Sequence, residues 1–495
     1  MSVPLTLDRL VWRMKHVHPG SEVVANDTRI RFADLADAIA RTAAGLHSRY
    51  GIRAGDRVAV LAFNTLEHLE LLYAVPLLGA TLTSLNLRLD STAMVAQAGR
   101  LDLLVVDQEA LSHRATGPAV RAAAAELAGR GITVASAADL AAEADIELPR
   151  LHEDVAAFRF HTSGTTGPAK SYEVTHRDVV LHALSQGAAD ASGLRAEDRV
   201  LPLVPFCHVN GWGLPFVAAL TGASLVLPGG DFGPARIAEL LSAERITVAA
   251  AVPAVWFDVC RHVAELDTVP PFVVREILTG GSAVPCSVVD LVRDVLGAGV
   301  ASAWGMTETL AVSTCERADP SVRAGRFVPL VEARIARGDG SCAPAGEQGA
   351  LQVRGPFVVG DRDGWFDTGD VASLDEAGRL AVHDRAKDLI KSGGEWIVSA
   401  QLEQHLCTHP SVSAAAVVAR ADPKWTERPV AVLVPRQGRQ VDETELRAHI
   451  AQRFPSFWVP DAFTCVEHLP LTPVGKVDKR ALRATLTPET PGGTR

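Results

Sequence analysis

A large N-terminal α/β domain built of layers with parallel-rich sheets, followed by a small α+β domain, is the fold this sequence predicts, and three observations predict it. Short β-branched runs alternate with alanine- and leucine-rich stretches of helical spacing over most of the chain. That alternation gives way to a different pattern after Asp384. The 495 residues are also too many for one compact core and ample for a large domain plus a smaller one.

Taken in order, Phe32–Arg49 reads as a helix, Arg57–Phe63 and Leu103–Asp107 as strands, and Val120–Gly129 as a second helix. Ser224–Leu227, Ile246–Val252 and Glu276–Leu278 read as further strands. A strand followed by a helix and another strand implies a crossover connection, hence largely parallel sheets with helical layers. Beyond Asp384 the apolar runs Ser413–Val418 and Arg428–Val434 precede a helix over Asp442–Phe454. Asp442 with Glu445 forms a capping-box-like start, and Leu446 with Ile450 gives that helix one apolar face. No internal repeat is visible, and the Pro/Gly/Thr tail after Thr487 is expected to be flexible.

Lysine and arginine number 48 against 58 acidic residues, a formal charge of −10. Without a basic block to override it, that balance argues against nucleic acid or an anionic membrane as partner, and points to small molecules. Arg9, Arg13 and Lys15 interrupt the first 20 residues, so no secretory signal is expected. The apolar stretches Leu201–Leu227 and Val248–Val259 are broken by His208, Asn210, Pro215, Pro253 and Asp258, which suits buried strands better than a membrane span. A cytoplasmic location is expected. The seven cysteines form no C-x-x-C pair and no metal spacing with histidine, so they read as reduced structural thiols.

The run Thr162-Ser163-Gly164-Thr165-Thr166-Gly167-Pro168-Ala169-Lys170 carries the chemistry. Glycines let backbone N–H groups turn inward, the hydroxyls add donors, and the lysine supplies counter-charge for phosphate oxygens. It is not a Walker loop, because its glycines are three apart and Lys170 follows Gly167 by three. Alone, such a run is as readily an ordinary loop.

Four further blocks follow: Trp304-Gly305-Met306-Thr307-Glu308-Thr309, then Gly364–Asp370, then Asp384–Glu395, then Thr472–Lys479. Together and in this order the five resemble the adenylate-forming superfamily of acyl-CoA synthetases, adenylation domains and luciferases. The resemblance covers nearly the whole chain. It implies an acid- and ATP-binding domain over 1–384, a hinge at Arg385–Asp388 and a mobile C-terminal lid over 389–495. It also implies ATP, Mg2+ and coenzyme A as reactants. By the same resemblance Thr162–Lys170 would hold the β- and γ-phosphates, with Thr165 and Glu308 toward the metal. Trp304 would stack on adenine, with Gly281, Gly305, Met306 and Thr307 around the nucleotide and Thr309 near it. Asp370 and Arg385 would hold the ribose. Lys476 matches the catalytic lysine, placed where negative charge builds at the α-phosphate, whereas the nearby Lys479 is expected to be solvated.

Pro205–Pro215, Val252–Trp256, Gly393–Ile397 and Asp422–Pro429 resemble the medium- and long-chain fatty acyl-CoA synthetase branch. That implies His208 beside the carboxylate, Trp256 as a gate to an acyl tunnel, and Gly281, Lys391, Gly393 and Trp396 on the substrate side. Ser392–Glu395 match the loop facing the pantetheine path. Trp256 in an apolar run is equally a core residue. The chain departs from the family at Ser171–Val174, Leu310-Ala311, Val398–Gln401 and a short link between Pro356 and Gly364. Three outcomes stay open: a ligase joining a fatty or aryl acid to coenzyme A, an enzyme passing its activated group to a carrier protein or, as in ATP-dependent diazotases acting on nitrite, to an aromatic amine, and a non-catalytic binding protein. A homodimer is compatible with each.

Overall fold

The structure, a computed structural model, describes residues 3–143, 146–162, 170–393, 395–436, 438–470 and 477–486. The tail after 487 lies outside these. The chain clusters into two compact units: Met1–Ala333 with Val353–Phe366, and Arg334–Gln352 with Asp367–Arg495. The hinge expected at Arg385–Asp388 falls inside the second unit by this division. The cause is sheet pairing, since Phe366–Leu374 and Leu380–Arg385 are antiparallel neighbours.

Two large sheets and a two-stranded pair, Thr314–Cys315 with Arg326–Phe327, build the first unit among the described residues. One runs in the order Gly299–Ala303, Glu276–Gly280, Val248–Ala251, Arg199–Pro202, Ser224–Leu227, Glu22–Ala25, Thr28–Arg31, parallel throughout except for the last pair. The other runs Thr133–Ser136, Leu103–Val106, Arg57–Leu61, Thr81–Ser84, Ala156–His161, Ser171–Thr175, again parallel up to its final pair. Val248–Ala251, Glu276–Gly280 and Leu103–Val106 are buried at every residue, which is why they read as continuous apolar runs rather than alternating ones. The helix Phe32–Tyr50 ends because Gly51 takes φ +70° and returns its N–H to His47. One core gathers Leu201, Leu241, Ala249, Trp256, Ile277 and Val292; another gathers Leu61, Met94, Leu104 and Val120.

The second unit holds a four-stranded sheet in the order Glu332–Ala336, Gly349–Arg354, Phe366–Leu374, Leu380–Arg385. Its other sheet runs Glu395–Ile397, Ile390–Ser392, Thr426–Pro435, Val412–Asp422, with Ala462–Cys465 beside Thr426–Pro435. In front of helix Glu443–Ala451 the Asp442 carboxylate accepts from Thr444 N (2.7 Å) and Glu445 N (3.2 Å), and Leu446 and Ile450 are buried as expected. Lys479 corrects the sequence reading. Its ammonium lies 2.7 Å from Glu403 and donates to Ser399 Oγ at 2.7 Å, with little exposure, because Glu403 is itself buried and needs a counter-charge.

All seven cysteines are unpaired by disulfides. Burial pushes Cys207 and Cys260 up to about 12, consistent with structural thiols. Among the described residues no helix is long and apolar enough to cross a membrane.

Candidate active site

Parallel register places His208, Gly281 and Trp304–Glu308 of the first unit along one sheet edge. Pro202 pairs with Ala250, Ala251 with Thr279, and Gly280 with Ala303, so these four strands end level with one another. The segments leaving them carry His208, then Val252-Pro253, then Gly281, then Trp304–Glu308. The carboxyl edge of an open parallel sheet is where α/β folds place ligands. Gly281 has φ +79°, and a Cβ there would sit 3.5 Å from Val252 and 3.7 Å from the Trp212 ring.

The Trp304 turn is rigid. Gly305 lies so close to the Ala311 carbonyl that no side chain fits. Ser313 N returns to Trp304 O (2.8 Å) and Ala311 N to Met306 O (2.9 Å). Half-buried, the Trp304 ring meets Phe327 edge-on at 6.1 Å, while Thr307 opens the following 3-10 turn. Thr309 is wholly buried, and its hydroxyl accepts from Met306 N (3.2 Å) and Ser313 Oγ (2.7 Å), so it braces the turn. Glu308 is 8 % exposed and forms no ion pair among the described residues. Facing its carboxylate is the Tyr172 phenol, pushed up to about 12 by burial and then by the charge and hydrogen bonding of Glu308. Tyr172 belongs to the stretch Ser171–Val174, which the sequence showed only as a departure from the family.

Of the phosphate-loop candidates, Thr162 N donates to Lys170 O (2.9 Å), closing the ends of strands Ala156–His161 and Ser171–Thr175. Ser163, Gly164, Thr165, Thr166 and Gly167 lie outside the described residues, as does Lys476.

After half-buried His208 the backbone turns left-handed for five residues, Val209 (φ 37°), Asn210 (43°), Gly211 (59°), Trp212 (55°) and Gly213 (73°). A β-branched residue and a tryptophan in that region are strained, and such strain gathers at functional sites. Asn64 holds the entry to this segment: its amide donates to Pro202 O and Val204 O and accepts from Phe206 N, each at 2.9 Å. No sequence signal pointed to Asn64, because its partners are backbone groups about 140 residues away. Trp256 is fully buried on helix Pro253–Ala264, and its indole N–H has no partner among the described residues.

A cavity of about 660 Å3 opens at the carboxyl ends of strands from both sheets, walled by Phe63 and Phe232, with Arg88, His113 and Cys207 around it. Its lining comes from several distant segments, and composition could not have found it.

In the second unit the two ribose candidates are cross-strand partners. Asp370 pairs with Arg385 in register, and the Arg385 Nε reaches the 3 % exposed carboxylate at 2.7 Å. Asp384 turns away to accept from Ser399 Oγ at 2.6 Å. On the hairpin of Ile390–Ser392 and Glu395–Ile397, Lys391 stands 5.6 Å over the exposed Trp396 ring. Gly393 (φ +62°) leaves room for Trp425, whose ring would meet a Cβ there at 2.7 Å; Lys424 stands 4.5 Å over that ring. Trp425 is 43 % exposed.

The level strand edge, a buried glutamate with no ion pair among the described residues and an Arg385 bound to the buried Asp370 lie in a chain that known proteins match. Residues 11–360 match the AMP-binding enzyme family, and residues 401–476 match the AMP-binding enzyme C-terminal domain. The chain belongs to the AMP-binding enzyme family. Among relatives in that family, a long-chain-fatty-acid–CoA ligase of Thermus thermophilus is 37 % identical over 92 % of this chain and 90 % of its own length. A 3-methylmercaptopropionyl-CoA ligase of Ruegeria pomeroyi is 34 % identical over 98 % and 97 %. The structure of o-succinylbenzoate coenzyme A synthetase from Bacillus subtilis with ATP and magnesium ion superposes with a TM-score of 0.82 at 27 % identity, covering 96 % of this chain and 98 % of that one. The family's fold, a large mixed α/β domain with a smaller C-terminal one, is therefore the fold of this chain.

Proposed function

We propose that this protein is an AMP-forming ligase that joins a fatty or aryl carboxylic acid to coenzyme A at the expense of ATP. Carrying the reading is the level ending of four parallel strands that brings His208, Gly281, Trp304 and Glu308 to one edge, in a chain whose family match spans both units. Acid–CoA ligases that match nearly end to end support it. Nothing observed favours nitrite activation or carrier loading.

In this reading the acid's carboxylate oxygen attacks the α-phosphorus of ATP, and the bond to the pyrophosphate oxygen breaks. The coenzyme A thiolate then attacks the acyl carbon, and AMP leaves with the electron pair of the anhydride oxygen. Trp304 offers adenine an aromatic face, and the close-packed Gly305 keeps the turn that carries it tight. Asp370, oriented by Arg385, accepts the ribose hydroxyls. Buried and without an ion pair among the described residues, Glu308 is a fitting anionic ligand for Mg2+, with Thr165 as its partner; the ion would supply charge neutralisation to the triphosphate when bound. Lys476 stabilises charge that develops in the transition state, and His208 borders the carboxylate.

In the first unit, Arg88 with the Phe63 and Phe232 walls suits the nucleotide end of coenzyme A. The segment Arg385–Asp388 is assigned as the hinge between the half-reactions, keeping water from the mixed anhydride. A cytoplasmic enzyme working as a homodimer completes the proposal. The test is AMP release from MgATP with a panel of fatty and aryl acids, with and without coenzyme A, products identified by mass. AMP formation only with nitrite and an aromatic amine would overturn the acid assignment and leave adenylation standing.

A further inference from the structure

From the ribose pair a chain of polar groups leads through the second unit to the C-terminal helix Lys479–Leu486. Arg385, whose guanidinium holds Asp370, gives its backbone N–H to the neighbouring Asp384 carboxylate at 2.8 Å. The other Asp384 oxygen accepts from Ser399 Oγ at 2.6 Å and from Ala400 N at 3.3 Å. Ser399 is fully buried, and its hydroxyl has one proton; with that proton given to Asp384, the oxygen accepts from the Lys479 ammonium at 2.7 Å. Lys479 in turn meets Glu403, which also accepts from Val417 N at 2.7 Å.

Docking the helix does not need this relay. Leu482 already packs with Ala416, Val418 and Val432, and Arg483 pairs with Asp388 at 2.5 Å. Buried ionic groups add little stability over apolar packing of the same volume, so what the relay supplies is geometry. Its far end lies where geometry matters. Asp478 N donates to Pro470 O at 2.7 Å, closing the base of the stretch that carries Lys476. Lys476 precedes Lys479 by three residues, which keeps their Cα atoms within about 11 Å of each other. Ser399 belongs to Val398–Gln401, where the chain departs from the family, so no motif pointed to it.

We propose that Lys479 and Ser399 are positioning residues for adenylation, a buried relay that fixes the base of the Lys476 stretch against the strand end carrying Arg385. The inference rests on the function proposed above. Asp384 precedes the segment Arg385–Asp388, whereas Ser399, Glu403 and Lys479 follow it. A turn about that segment would part Ser399 from Asp384, so the relay serves adenylation and not the thioester step.

The test separates the two half-reactions in the full-length protein, with the acid of the fatty and aryl panel that it activates fastest. Ser399→Ala cuts the relay and leaves the Lys479–Glu403 pair in place. Lys479→Met combined with Glu403→Gln removes that pair without stranding a buried charge and keeps an acceptor for Val417 N. Each variant should slow kcat of ATP–pyrophosphate exchange about tenfold or more, as a small displacement of a reacting group does, with KM for ATP changed less than about twofold. Thioester formation from the supplied acyl-adenylate and coenzyme A should stay within about twofold of the unsubstituted protein. Thermal melts check that the variants fold. Exchange at an unaltered rate in both variants overturns the proposal, and so does an equal slowing of both half-reactions, which marks a merely structural loss. No exchange with any acid of the panel in the unsubstituted protein refutes the proposed function itself, and this inference with it.

Discussion

Three buried histidines predict a steep acid limb of stability in the first unit. His68, His176 and His182 are 1 %, 0 % and 3 % exposed, and burial pushes each ring from its ordinary 6.5 down to about 4. Geometry explains why the neutral form is required. His68 Nδ1 donates to Phe63 O at 2.8 Å while Nε2, 2.9 Å from Ser84 Oγ, accepts. His182 Nε2 donates to Val312 O at 3.1 Å, and His176 Nδ1 accepts from Leu7 N at 3.2 Å. Folded values lie below the unfolded one, so the unfolded chain takes up protons first as pH falls. The stability they give is complete above about 6.5, drains away toward 4 and changes no further below that.

At about pH 5 the difference between 6.5 and about 4 favours the unfolded imidazole by about 30-fold, or about 2 kcal/mol per ring and about 6 kcal/mol for three. Asp107, raised from 3.8 to about 6, works in the opposite sense and restores about 1 kcal/mol. From these four groups the loss between about pH 7.5 and about pH 5 is thus about 5 kcal/mol, a third or more of a typical domain's stability. Urea unfolding at both pH values, with hydrogen exchange of Leu66–Leu77 to isolate the first unit, measures it. His68→Gln should flatten the pH dependence by about 2 kcal/mol whatever it does to absolute stability. A first unit equally stable at both pH values would refute the reasoning.

Lys476→Ala should leave ATP binding intact and slow ATP–pyrophosphate exchange about 100-fold or more, because the lost cation acts on charge that builds in the transition state; an unchanged exchange rate removes Lys476 from the mechanism. Glu308→Gln should raise the Mg2+ concentration needed for half-maximal exchange, and indifference to metal counts against that assignment. Trp256→Ala should shift the chain-length profile if the ring gates an acyl tunnel; if it only fills the core, the variant loses about 3–5 kcal/mol with an unchanged profile. Trp425→Ala should raise KM for coenzyme A about tenfold while sparing pyrophosphate exchange, as loss of a stacking face does, and an unaltered KM would clear the exposed indole of any role.

How much was legible in the sequence depended on whether a signal was local. The strands Ser224–Leu227 and Glu276–Gly280 and the helix Phe32–Tyr50 sit where their apolar runs and end signals put them, because burial on both faces writes itself into consecutive residues. Asp370 and Arg385 were found as separate motif residues, but that they are one ion pair follows from strand register, which no single motif contains. Lys479 looked solvated because it lies among charged residues; its partner Glu403 is distant in sequence and reached only when helix Ser399–Leu406 packs on Val412–Asp422.

The same logic explains why the support of the site was harder to read than its chemistry. Residues that would touch ATP must be of particular types, so they recur as motifs, whereas residues that hold them need only supply a donor or a shape at the right place. Asn64 shows the difference. Its one side chain satisfies three backbone groups of Pro202–Phe206 and so fixes the approach to His208, just before the backbone enters its left-handed run. A strained segment persists only where its surroundings over-determine it. The clamp at its entry and the closely packed Gly211 and Gly213, against Phe206, His182 and Gln186, are those surroundings. Buried Gln186 and Asn210 keep amide groups unpartnered beside this turn, so it is held by shape at one end and hydrogen bonds at the other. An arrangement of that kind has its geometry set before any ligand arrives, as the proposed place of His208 beside the carboxylate would require.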